Sequence, residues 1–239
     1  MTHPEGTVHY DSSDRIAVLT ISRPAKRNSL DAAGAEALEA AFRRFEESDD
    51  AVAILRGDGP EAFTAGADLT NPPVGGYGYV PNIGVTVTKP YICAISGWCI
   101  GVGLALLQQA DLAVATNDAV FRYPEPDLGI TRGLMASLVG RIPHKVAVEL
   151  VLVGKDMSAA DLHRAGLLNA VTTRDDLMPV ARGLAERIAS HDPLLNVFLK
   201  HCIEETIPRG PGEVAERTRW LGNQLPANRD RLRAAGLRS

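Results

Sequence analysis

The chain has 239 residues, 45% of them hydrophobic, enough to bury a full core as one large α/β domain or as a main domain with a smaller appendage. Its formal charge of −4, without any block of Lys or Arg, leaves no electrostatic footprint for nucleic acid. Three cysteines, Cys93, Cys99 and Cys202, suit neither a zinc site nor a disulfide framework and point to a reducing, cytoplasmic setting; no basic-then-apolar leader or membrane-length apolar run suggests export or insertion.

Residues 16–21 read as a strand. Asp31 is placed to cap a helix running to about Ser48, with Leu38, Ala41, Phe42 and Phe45 at i, i+3, i+4 and i+7. A short apolar run at 51–55 predicts another strand, followed by the small-residue turn Phe63-Thr64-Ala65-Gly66-Ala67-Asp68. Residues 71–84 hold three prolines and four glycines around Tyr77 and Tyr79 and predict a mobile loop. A strand at 91–95 then leads to a second small-residue turn, Gly97-Trp98-Cys99-Ile100-Gly101-Val102-Gly103, a helix at 102–110 and a strand at 112–116. From Gly133 the pattern turns helical, with helices expected at 134–141, 145–153, 159–165, 177–190 and 193–204. Ser158 and Asp161 resemble a capping box, and Pro193 suits a first helical turn. The division that follows is an α/β core over 1–190 and a helical region over 191–239.

Small residues at a strand end leave backbone N–H groups unshielded, and two such donors meeting at one oxygen stabilise negative charge developing on a carbonyl. Taken singly, Gly66, Gly101 and Gly103 fit tight packing of a helix on a strand equally well. The second turn lacks the third glycine of a dinucleotide fingerprint, and no Walker loop or Gly-x-Ser-x-Gly elbow occurs. His144, His163, His191 and His201 form no triad or metal-ligand pattern, so no metal is expected.

In order and spacing, Arg23-Pro24-Ala25-Lys26-Arg27-Asn28-Ser29-Leu30, Phe63 through Leu69, Lys89-Pro90 through Ser96-Gly97, Gly101-Val102-Gly103, Ala110-Asp111 and Pro124-Glu125 through Leu128-Gly129 resemble the crotonase superfamily, the enoyl-CoA hydratase/isomerase group. The resemblance covers roughly residues 10–205. It implies a crotonase-like ββα-repeat core with a helical C-terminal trimerisation region, and a homotrimer or dimer of trimers. It also implies an acyl-CoA thioester substrate, with coenzyme A as part of that substrate and no separate cofactor. By motif position the oxyanion donors are the N–H groups of Ala67 and Val102, the latter where relatives usually carry a glycine.

Glu125 stands at one of the two positions where hydratases of the group place a catalytic glutamate; Ala105 stands at the other, which makes this an atypical member. One carboxylate suffices to move a proton between two carbons, whereas hydration normally uses the pair. The expected activity is therefore enoyl-CoA isomerisation or an atypical hydration. The alternatives are carbon–carbon bond hydrolysis of a diketone-like substrate without CoA, or acyl-CoA binding without turnover. Asp127 is a candidate surrogate acid or a turn-capping residue, and Arg132 either a partner for Glu125 or a substrate carboxylate or a loop cation; Trp98 joins them as a candidate pocket residue. Lys26, Arg27, Ala65, Asp68 and Leu69 correspond to CoA contacts, with Lys200 a weaker candidate; Lys26 and Arg27 also read as ordinary solvated cations. The segment between Asp68 and Lys89 is shorter than in relatives, so either the pocket stands open or Tyr77 and Tyr79 fold down to close it.

Overall fold

A computed structural model describes residues 7–74, 76–131 and 133–224. The chain opens with a hairpin of β1 (Thr7–Ser13) and β2 (Ile16–Ser22), joined by Asp14 and Arg15 at φ 56° and 63°. Two consecutive left-handed residues match the right-handed twist of the paired strands. Helix α1 (Ala32–Glu47) starts where expected, the Asp31 carboxylate accepting a hydrogen bond from the Gly34 N–H at 2.8 Å. Then follow β3 (Val52–Gly57), β4 (Ala62–Thr64), β5 (Tyr91–Ile95), β6 (Trp98–Ile100), α2 (Val102–Gln109), β7 (Leu112–Thr116) and β8 (Val120–Arg122). The one-turn α3 (Glu125–Leu128) precedes a 3-10 helix (Leu134–Gly140), α4 (His144–Val151), β9 (Met157–Ser158), α5 (Ala159–Arg164) and β10 (Ala170–Thr172). Three helices end the described chain: α6 (Leu177–Ala189), α7 (Pro193–Thr206) and α8 (Pro211–Gln224). None of the described helices is long and apolar enough to cross a membrane.

The strands form two sheets, one ordered β1-β2-β3-β5-β7-β10 and one ordered β4-β6-β8-β9. Apart from β1–β2 and β8–β9, all pairs are parallel. The fold is α/β, with repeated strand–strand–helix units. Alternate residues of the large sheet face opposite ways: Ala53 and Leu55 join the cluster shared with α1 and the small sheet, whereas Val52 and Ile54 meet Leu177, Ala181 and Ala185 of α6. Burial on both faces explains why residues 52–55 and 91–95 read as unbroken apolar runs.

Three expectations change. Residues 79–85, at the end of the 71–84 segment, are drawn into the core, with Tyr79, Val80 and Ile83 buried, while Asn71, Pro72 and Val74 stay exposed; the apolar side chains of the later part fasten it. The stretch from Leu134 forms a 3-10 helix, packed by α8. The last third also contributes β9 and β10, whose few residues gain their stability from the sheets they extend. The Ser158–Asp161 capping box and Pro193 at the start of α7 are present as read.

Candidate active site

Strands β4, β6 and β8 lie side by side and parallel in the small sheet, so their C-terminal ends emerge together. The first delivers Ala65-Gly66-Ala67, the second Gly101-Val102 and the third Pro124-Glu125. These residues line one cavity of about 210 Å³ together with Leu69, Tyr77, Tyr79, Ile100, Ala105, Tyr123, Leu128, Ile130, Thr131, Leu134 and Met135. Of the shortened segment, Tyr77 and Tyr79 form part of the cavity wall, while Leu69, Leu128 and Ile130 leave another part of it exposed.

The first turn is held from behind. Asn28, buried and left-handed at φ 56°, donates to the carbonyls of Asp58 (2.9 Å) and Ala62 (2.7 Å), while its Oδ1 accepts from the Arg23 N–H. The Thr64 hydroxyl donates to the Asn28 carbonyl and accepts from the Gly66 N–H. The Ala65 N–H donates to Arg27 O and the Asp68 N–H to Leu30 O. That leaves the Ala67 N–H, which donates to no group among the described residues. Gly66 sits at φ +92°, and a Cβ there would come within 3.1 Å of the Ile100 carbonyl oxygen, so glycine lets the two turns approach.

In the second turn the Gly101 N–H donates to Arg122 O and the Leu104 N–H to Gly101 O. Val102 is the first residue of α2, where a helix leaves its N–H groups without intrahelical partners, and its N–H donates to no described residue. A Cβ at Gly103 would strike Thr64 Cγ2 at 2.8 Å, so this glycine packs α2 onto β4.

Gly101 makes room for the carboxylate. At φ +56° it carries no Cβ, and one placed there would lie 3.1 Å from Glu125 Oε1. The carboxylate thus rests against the second turn. Its Oε2 is buried without a hydrogen-bond partner among the described residues, and burial pushes the carboxyl up to about 7 from an ordinary 4.5. No Lys, Arg, His or second carboxylate lines the cavity among the described residues. Ala105, one helical turn beyond Val102 and 4% exposed, presents only a methyl group to it.

Several candidates fall elsewhere. Asp127 is not in the cavity wall; its side chain is 61% exposed and pairs with Arg122 at 3.2 Å, with Arg122 also 3.6 Å from Asp156. Trp98 shares its strand face with Ile100 but stands two residues back, between Ala62 and Val120, away from the cavity. The Asp68 carboxylate takes the Arg23 guanidinium at 2.7 Å and the Thr70 N–H and hydroxyl, the bonds from Thr70 and Arg23 holding it well below the usual carboxylate range. It braces the turn from behind. Lys26 and Arg27 are exposed outside the cavity, Arg27 beside Glu61 at 4.0 Å. Lys200 is buried against Asp111 at 2.9 Å and the Lys89 carbonyl, which removes it from any surface contact. Ala65 and Leu69 do line the cavity. Arg132 lies outside the described residues. Sequence reasoning overlooked Asn28 and Thr64, whose signal was present only as positions within the first and second family motifs.

The Enoyl-CoA hydratase/isomerase family model matches residues 11–78 and 82–224. A probable enoyl-CoA hydratase of Rhizobium meliloti is 30% identical over 94% of this chain and 91% of its own length. A carnitinyl-CoA dehydratase of Salmonella enteritidis PT4 is 32% identical over 84% of this chain and 81% of its own. Among solved structures, an enoyl-CoA hydratase of Mycobacterium tuberculosis H37Rv superposes with a TM-score of 0.78 at 31% identity, covering 98% of both chains.

Proposed function

The chain belongs to the enoyl-CoA hydratase/isomerase family of the crotonase superfamily, and from that premise we propose that it moves the double bond of an enoyl-CoA thioester, with Glu125 as its acid/base. One observation carries this reading: two backbone N–H groups without partners, those of Ala67 and Val102, adjoin a cavity whose one carboxylate among the described residues is Glu125. The thioester carbonyl oxygen would accept from both N–H groups. Glu125 would remove a proton from the carbon between the carbonyl and the double bond; the electron pair left there forms a double bond to the carbonyl carbon, and the carbonyl π pair moves onto the oxygen, giving an enolate conjugated with the existing double bond. The protonated Glu125 would then return that proton to the far carbon of the delocalised enolate as the pair flows back. No water or redox partner enters the balance. A carboxyl near 7 suits both halves, because at neutral pH it accepts and releases the proton with little bias.

The relatives are named for adding or removing water, and hydration is the competing outcome. It needs a water held and deprotonated while a carbon is protonated, and the Ala105 methyl offers no help with either. Incubation with 3-hexenoyl-CoA and with 2-hexenoyl-CoA separates the two. Conversion of the first to the second is expected, with little 3-hydroxyacyl-CoA from either. Efficient hydration without isomerisation, or an E125Q variant as active as the parent, would overturn the proposal.

The family resemblance and α7 support assembly of copies into a homotrimer or a pair of trimers. Leu194 and Phe198 on α7 are 80% and 61% exposed, with Leu195 and Ile203 near them, an apolar face that a second copy would cover.

A further inference from the structure

The cavity wall has exposed and buried parts: Leu69, Leu128 and Ile130 are exposed, while Tyr79, Leu134 and Met135 are buried. The buried floor comes from two separate pieces of chain, the 77–87 segment and the 3-10 helix. Both are held by the C-terminal helices. Asn82, 4% exposed and left-handed at φ 61°, sits at the tip of the first piece. Its carbonyl accepts from Arg217 of α8 at 2.7 Å, its Nδ2 donates to Glu204 of α7 at 2.9 Å, and its Oδ1 accepts from the Val87 N–H. The second piece is held where the Gly210 N–H donates to Ser137 Oγ at 2.9 Å and where Gly133 and Gly140 pack closely on Gly212 and Pro208.

We infer that Asn82, clamped by Arg217 and Glu204, is the specificity-determining knot that closes the acyl end of the cavity and restricts the enzyme to short acyl groups. The inference rests on the acyl-CoA reading above. The cavity measures about 210 Å³, and the buried Tyr79, Leu134 and Met135 of its wall limit how much of an acyl chain it can take. A longer chain can enter only if the floor yields, and the floor yields only if the knot does. Arg217 and Asn82 touch no reacting atom; they are positioning residues, acting through Tyr77, Tyr79 and their neighbours.

The test uses the full-length protein and saturated butanoyl-, hexanoyl-, decanoyl- and hexadecanoyl-CoA, thioesters that it binds without turning over, with affinities from titration calorimetry. The parent should prefer the two shorter thioesters. R217A should gain about tenfold or more for decanoyl-CoA relative to butanoyl-CoA, the scale on which apolar pockets discriminate chain length. N82G tolerates the left-handed backbone while losing the Glu204 bond, and should shift the same ratio should R217A fold poorly. R217K, which keeps a cationic donor for the Asn82 carbonyl, should restore much of the preference. A parent that ignores chain length or binds none of the four, or folded variants with an unchanged profile, would overturn the inference. A parent that shows the preference while converting no 3-enoyl-CoA would sink the proposed reaction and leave the knot standing.

Discussion

Glu125 combines three properties that a neutral-pH proton carrier needs: a place against the second turn, an Oε2 without a partner among the described residues, and a carboxyl raised to about 7. In the proposed isomerisation Glu125 must be ionised to accept a proton, so kcat/KM should rise with pH through about 7 and level off above it, readable from initial rates between pH 5 and 9. E125Q should lower kcat by about 10²–10⁴-fold, the usual weight of a positioned acid/base. The same residue affects stability in the opposite sense. The folded protein keeps the Glu125 proton where the unfolded chain has lost it, so the contribution is best below about 4.5 and declines as pH rises to about 7. At pH 8, E125Q should therefore be more stable than the parent by about 1–3 kcal/mol in urea titrations, the lower end reflecting a carboxyl only partly withdrawn from water. Introducing a second acid with A105E should move the kinetic midpoint above that of the parent, since a like charge across the cavity disfavours ionisation of both.

At the scale of elements, the site is an alignment of three strand ends, and its accuracy depends on what braces them. Asn28 is the main brace of β4, and alanine there would leave the Asp58 and Ala62 carbonyls without their donor. N28A should cost about 3 kcal/mol in chemical denaturation and reduce activity further than the stability loss explains. At Gly101, alanine would meet both the positive φ and the Glu125 carboxylate at 3.1 Å. G101A should fold, at a cost of about 1–3 kcal/mol, and lose about tenfold or more in kcat as the carboxylate is displaced. Rates within twofold of the parent would show that the contact does not set the position of Glu125.

At the scale of the whole molecule, α6 seals the outer face of the large sheet while α7 keeps an apolar face outward. A charge on that face should oppose assembly: F198E should elute from size exclusion as a smaller species than the parent while keeping its far-ultraviolet circular dichroism. An unchanged elution volume would place any interface elsewhere.

The parts governed by local chemistry and motif order were legible in the amino acids alone. These are the Asp31 cap, the Ser158 box, the buried central strands, the family, and the cavity positions of Ala67, Val102, Ala105 and Glu125. Tertiary structure decided the rest, since it depends on contacts between residues far apart in the chain. Three-residue strands such as β4 and β8 carry too little periodicity to stand out and exist through their neighbours. Proline and glycine in 71–84 suggested mobility, yet Asn82, bonded to residues more than 120 positions away, ties the buried residues 79–85 to the C-terminal helices, and Tyr77 and Tyr79 line the cavity. Asp68, Asp127 and Lys200 carried charge suited to a substrate, and each proved to be paired within the protein. A charged side chain's use depends on which opposite charge the fold sets beside it, and no local pattern encodes that.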